Sequence, residues 1–279
     1  MLATRITTAL ILLILFLCAL FYFSSLGWAA LVVVMVMQGT LEWMRLAKLS
    51  EKAANAYWWL TLVLMLVIAW LDWQQPAWIA IPHLFIYGTS VILWLIVVPF
   101  WLIGSWQVRQ PLVMVLIGWM LLIPTGLAMM DLRAASPWWL LGVMGLVWMA
   151  DIAAYFTGRK FGKHKLAPTI SPGKTWEGVI GALIGVTVYI FMIVFFSGVN
   201  TLHSKLPILI MASWLWVALA VVGDLFESAI KRQAGVKDSG TLLPGHGGLL
   251  DRIDALTATL PLAAMLLLLQ NLVSQNLVL

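Results

Sequence analysis

Cysteine is almost absent: Cys18 is the single one among 279 residues and lies in an apolar run, which excludes a disulfide framework and a thiolate metal site. Charge is scarce too. Only 10% of residues are charged while 63% are hydrophobic, and the mean hydropathy of +1.02 excludes an ordinary soluble fold. Internal repeats are lacking, and no small-x-small cleavage site follows the apolar run 6–23, so that run reads as an uncleaved first span rather than a signal peptide.

What the chain has in abundance is long apolar runs. At about 20 residues per crossing, further spans are expected over 27–46, 56–73, 78–103, 110–130, 137–157, 177–199, 206–227 and 252–272, with kinks at Pro82, Pro99 and Pro124. The fold class is therefore an all-α polytopic membrane protein of about nine transmembrane helices. The net charge of +5 has to be divided by membrane side before it implies any partner, and that division leaves no case for nucleic acid. With the amino terminus cytoplasmic and the carboxyl terminus outside, 14 of the 16 Lys and Arg residues fall in inner loops and only Arg133 and Lys205 fall outside. The many tryptophans, such as Trp58, Trp59, Trp138 and Trp139, read as an aromatic belt at span ends.

The scarce acids sort the chain into a scaffold, residues 1–135, and a catalytic region, residues 136–279, with loops 158–176 and 228–250. Glu42, Glu51, Asp72 and Asp131 in the first part lie near span ends where hydration is expected. The later acids, Asp151, Glu177, Asp224, Glu227, Asp238, Asp251 and Asp254, all lie in or beside the two loops. An ionisable group at membrane depth costs roughly 2.5–3.5 kcal/mol on insertion scales, so Asp151 and Asp224 are candidate functional residues. Asp224 and Ser228 are four apart and Asp251 and Asp254 three apart, spacings that put each pair on one helix face. Oxygen ligands without sulfur suit a hard ion such as Mg²⁺. Alternatively, the two later aspartates cap a helix and pair with Arg252 or Lys231.

The stretch from Ser228 to Asp254 also holds Lys231, Arg232, Lys237, His246 and five glycines, and Pro244 to Gly248 breaks the chain ahead of the last span. Backbone N–H groups converge there with a positive helix end, a setting for phosphate. The other loop carries Arg159, Lys160, Lys163, Lys165 and Lys174, with Ser171 and Thr175 flanking a Pro-Gly-Lys turn. It resembles a phosphate-binding P-loop only superficially, since its first glycine is missing. Cations for phosphate facing carboxylates for metal is the logic of phosphoryl or nucleotidyl transfer. Among the histidines, His83 and His203 read as structural, His164 sits among lysines, and His246 is the plausible catalytic one.

The run Ser228-x-Ile230-Lys231-Arg232, Lys237-Asp238-x-Gly240 and Leu243-Pro244-x-His246-Gly247-Gly248-Leu249-x-Asp251-Arg252-Ile253-Asp254 resembles the signature of the phosphatidate cytidylyltransferases, or CDP-diacylglycerol synthases. Asp151-x-x-Ala154-Tyr155-x-x-Gly158-Arg159 and Ser171-Pro172-x-Lys174-Thr175-x-Glu177-Gly178 look like that family's second block. The resemblance implies cytidylyl transfer from CTP to phosphatidic acid, giving CDP-diacylglycerol and pyrophosphate, at the cytoplasmic face of a bacterial inner membrane. It implies Asp224, Ser228 and Asp251 as metal ligands, with Asp254 or Asp238 completing a two-cation centre of Mg²⁺ and a second cation such as K⁺. Catalytic roles would fall to Asp224, Asp251, Lys231, Arg232 and His246, and substrate binding to Asp151, Arg159, Ser171, Lys174, Thr175, Lys237, Gly247, Gly248 and Arg252. A homodimer is left open. The rivals are a CTP-dependent polyprenol kinase or related lipid phosphotransferase, which needs a base for a neutral hydroxyl, and a transporter, whose charges would spread through both halves.

Overall fold

A computed structural model describes residues 2–76, 78–242 and 247–274. His246 lies outside the described residues, as do Pro244 and Gly245 of the same turn. The chain folds into α1 (Leu2–Tyr22), α2 (Ser25–Leu46), α3 (Glu51–Gln74), α4 (Ala80–Ile92) continuing through a π-helical turn (Leu93–Val97) into α5 (Val98–Gly104), α6 (Pro111–Ala135) and α7 (Pro137–Phe161). A short hairpin, β1 (Lys165–Ala167) and β2 (Ser171–Thr175), follows, then α8 (Trp176–Phe196), the small α9 (Asn200–Ser204), α10 (Leu206–Ala234) and α11 (Leu250–Ser274).

Eight helical segments among the described residues are long and apolar enough to cross a membrane, which makes this a multi-pass membrane protein. The expectation was about nine. The ninth corresponds to α1, an apolar helix of 21 residues. Polar residues end the helices where the chain must turn: the Ser24 hydroxyl accepts from Gly27 N at 3.1 Å at the start of α2, and Thr175 Oγ1 accepts from Gly178 N at 3.2 Å at the start of α8. The π turn sits just before Pro99. Proline cannot donate to the carbonyl one turn back, and the register slips so that Val98 N–H reaches Leu93 O instead.

The helix α6 is the hub, packed by α2, α3, α4, α7 and α11, and it buries Leu121, Leu122, Leu127 and Ala128. Two tryptophans are bolted to it rather than placed in a belt: Trp28 Nε1 donates to Met129 O at 3.1 Å and Trp43 Nε1 to Met114 O at 2.8 Å. Trp59, Trp138 and Trp139 do remain exposed, as an interfacial belt requires. Outward faces such as Val63, Leu66 and Trp70 of α3 and Ile184, Val188 and Phe191 of α8 present apolar side chains to lipid.

The two expected loops are more ordered than connecting segments need to be. Helix α7 extends to Phe161, and residues 165–175 pair as an antiparallel hairpin, Lys165 opposite Thr175 and Ala167 opposite Ser171. Helix α10 continues to Ala234, seven residues beyond its expected end at 227, before Gly235 caps it with φ +80°. Ser228, Lys231 and Arg232 are thus helical, and their side chains point along one rod with Asp224 and Glu227.

Candidate active site

Helices α10 and α11 pack side by side, the condition for Asp224 and the acids of α11 to share one site. They come close at Gly223, where a Cβ would stand 2.7 Å from the Asp254 carbonyl oxygen. Asp224 and Asp254 therefore flank the same seam. Ser228 Oγ lies 3.4 Å from Asp224 Oδ1, as the spacing of four on a helix predicts. Asp151 on α7 is within electrostatic reach of Asp224, Asp254, Lys174 and Arg252.

The hairpin reaches over this seam. Lys174 on β2 places Nζ 2.7 Å from Asp224 Oδ2, joining the basic loop to the acidic signature. Arg232 Nε donates to Ile170 O at 3.3 Å, tying the hairpin turn to the end of α10. At the other end, His164 Nδ1 meets Glu177 Oε1 at 2.6 Å while His164 N–H faces both Glu177 oxygens at 3.2 Å. His164 thus fastens the hairpin to the start of α8.

Asp251 is used differently from Asp224. Its Oδ1 accepts from Lys231 Nζ at 2.5 Å, and its Oδ2 accepts from Ser239 N at 2.9 Å and Gly248 N at 2.8 Å, with Ser239 Oγ 3.0 Å away. Here the capping and ion-pairing reading of Asp251 describes the geometry, with Lys231 as an ion-pair partner. Lys231 also stands 3.4 Å from Glu227 Oε2. Both Glu227 oxygens are buried, and with Asp254 they line a cavity of about 20 Å³ together with Trp43, Trp94, Leu121 and Thr257. That is room for about one water molecule.

Glu42 is the residue that sequence reasoning missed. Expected at a hydrated span end, it is fully buried. Its Oε2 accepts from Ser239 Oγ at 2.8 Å and Leu250 N at 2.9 Å, and its Oε1 accepts from Leu249 N at 2.8 Å and Gln38 Nε2 at 3.0 Å. A carboxylate on α2 thereby caps the start of α11 and holds the signature loop from below. A Cβ on Gly248 would collide with Ser239 Oγ and with Glu42 Oε2, so the loop closes this tightly only over glycine.

The remaining expected residues lie on the rim. Lys237 and Asp238 are exposed, as are Arg159, whose guanidinium donates to Tyr155 Oη at 2.9 Å, and Arg252 on the first turn of α11. Thr175 is buried as the cap of α8, Ser171 is half-buried at the foot of β2, and Gly247 turns the chain with φ +81°. At the far end of the bundle Asp72, His83 and Asp131 form a group able to hold a metal ion. His83 was read as structural because nothing near it in sequence is a ligand; the fold supplies two carboxylates from other helices.

The model of the cytidylyltransferase family matches residues 3–270. The chain belongs to that family. It is similar to the phosphatidate cytidylyltransferase of Haemophilus influenzae, 38% identical over 280 residues covering 94% of this chain and 96% of the relative. The Pseudomonas aeruginosa protein of the same name is 37% identical over 272 residues, covering 96% and 97%. The one from Thermotoga maritima is 46% identical over 126 residues, covering 43% of this chain and 46% of that protein. In that last case the likeness is concentrated in less than half of each chain, as the sequence signature is.

Proposed function

We propose that this chain transfers the cytidylyl group of CTP to phosphatidic acid, releasing pyrophosphate and leaving CDP-diacylglycerol in the membrane. The observation that carries this reading is the Lys174–Asp224 contact of 2.7 Å, which brings the basic hairpin onto the acidic helix in a family whose full-length relatives bear that name. The acceptor is already an anionic phosphate, so the site needs no strong base. What opposes reaction is repulsion between two polyanions, and charge placed beforehand in a poorly solvated site lowers that barrier most effectively.

The donor set fits a hard divalent cation: Asp224, Ser228 and Asp254 offer only oxygens, Asp151 lies close by, and Glu227 is buried beside them. In this reading Asp224, Ser228 and Asp254 hold Mg²⁺, which when bound neutralises phosphate charge. Lys231 has two tasks. Moving from Asp251 to a substrate phosphate would free that carboxylate as a further ligand, so Asp251 belongs to the set through exchange. Asp238, exposed on the rim, would join only a second cation such as K⁺.

Lys174, Arg159, Arg232, Lys237 and Arg252 divide between the triphosphate and the lipid phosphate, and the Gly247–Gly248 N–H groups add backbone donors. Ser171 and Thr175 set the hairpin, and His246 would work from the signature turn. The site opens to the cytoplasmic side of a bacterial inner membrane, where CTP arrives, while phosphatidic acid enters laterally. The protein could act as a monomer, since all these groups come from one chain; a homodimer is not required by the chemistry.

Purified protein in detergent, given CTP, dCTP or ATP with phosphatidic acid, a polyprenol or a polyprenyl phosphate, tests the reading. CDP-diacylglycerol and pyrophosphate from CTP with phosphatidic acid are the expected products. Phosphorylation of polyprenol with no lipid–CMP product would replace it with the kinase alternative.

A further inference from the structure

Far from the signature, helices α3, α4 and α6 bring Asp72, His83 and Asp131 together. His83 Nε2 lies 2.9 Å from Asp72 Oδ1 and His83 Nδ1 lies 3.0 Å from Asp131 Oδ2. Tyr87 Oη donates to Asp131 Oδ2 at 2.7 Å. Met114, which receives the Trp43 bond next to Glu42, lies on α6 below Asp131, and at about 1.5 Å rise per residue the two are roughly 25 Å apart. The group is therefore separate from the site described above.

We propose that Asp72, His83 and Asp131 bind a divalent transition-metal ion of the Zn²⁺ class, clamping α3 to α4 and α6. One ligand atom from each residue lies within 4.8 Å of the others, a set that small side-chain rotations can close around one ion. One imidazole nitrogen with two carboxylate oxygens suits zinc better than magnesium, which takes oxygen alone. A second observation points the same way: the buried Asp72 Oδ2 has no hydrogen-bond donor among the described residues, while Oδ1 meets the His83 ring at 2.9 Å. Two carboxylates against one imidazole leave net negative charge in a partly buried group even when the ring is protonated, whereas a divalent ion cancels it. Tyr87 donates to Asp131, an outer partner of the kind that orients a metal ligand. The clamp would hold α3, which has little buried surface of its own, to the hub.

The test uses the tag-free, full-length protein carrying Asp224→Asn, so that the signature site contributes as little as it can. It is stripped with a chelator and then offered ZnCl2 or CoCl2. We expect one zinc retained per chain after desalting, a thermal midpoint raised by several degrees, and intense visible bands of four-coordinate Co²⁺. His83→Ala should lower retained zinc at least tenfold and abolish the thermal shift. If His83→Ala does not fold, the Co²⁺ spectrum of the His83-containing protein decides alone. No retained zinc, a pale six-coordinate Co²⁺ spectrum, or equal retention in His83→Ala would overturn the site and leave a protonated His83 bridging two aspartates.

Discussion

Glu42 and Ser239, 197 residues apart in the chain, meet at 2.8 Å, and through that bond a carboxylate on the second helix supports the loop that carries the signature. Glu42→Gln would turn an amide toward Leu249, Leu250 or Ser239, setting donor against donor. An unsatisfied buried polar group costs about 1–3 kcal/mol, and loss of an outer supporting partner typically costs about 10–100-fold in activity. Turnover should fall within that range with a lower melting temperature, measured by CDP-diacylglycerol formation and by thermal unfolding. Unchanged turnover would reduce Glu42 to a structural cap.

Gly248→Ala asks the same of the loop itself. Its methyl group would strike Ser239 Oγ and Glu42 Oε2 together, two atoms that cannot move without releasing Asp251 and the start of α11. At least about tenfold loss of turnover is expected from displacement of supporting partners of this kind. Gly173→Ala, where a Cβ meets open space, should be close to wild type in the same assay.

Lys174→Gln removes the cation that bridges the hairpin and α10. A hydrogen bond to a charged group is worth about 1.5–3 kcal/mol, so a loss of roughly 10–100-fold in kcat/KM for CTP is expected. Lys205→Gln, at the opposite end of α10, should change little. Equal effects from the two would leave the hairpin with only a topological role.

Cysteine labelling checks orientation. In a Cys18→Ser background, cysteines at the exposed positions Lys48, Lys163 and Lys237 should react from the cytoplasmic side, and cysteines at Ala135 and Lys205 from the other. Ser239 is buried and unsuited to this test. Labelling of Lys48 and Lys237 from opposite faces would contradict the arrangement.

The spans were legible because about 20 apolar residues in a row have one cheap structure in a membrane. The signature residues were legible because charge is expensive there, and Asp224 with Ser228 fell on one face as their spacing requires. Glu42, Asp72 and Asp131 were not. Each looked like a hydrated helix end, and its role depends on partners brought from elsewhere in the chain, such as Ser239 for Glu42 and His83 for the two aspartates. Periodicity carries no such long-range information. The hairpin was hidden for another reason: strands of three and five residues, the second holding Pro172 and Gly173, give too little alternation to be read.

The central claim is that Asp224 holds the ion that makes cytidylyl transfer possible, and Asp224→Asn tests it most directly. Asparagine keeps the size and one oxygen but removes the negative charge. Asp251→Asn is less clean, since it also breaks the Lys231 pair and the cap of α11. With CTP, phosphatidic acid and Mg²⁺, we expect Asp224→Asn to form CDP-diacylglycerol at least about 100-fold more slowly than wild type, beyond the usual range for outer partners, while its melting temperature stays close to wild type and Glu51→Gln remains fully active. Near-normal Mg²⁺-dependent turnover in Asp224→Asn would contradict the assignment.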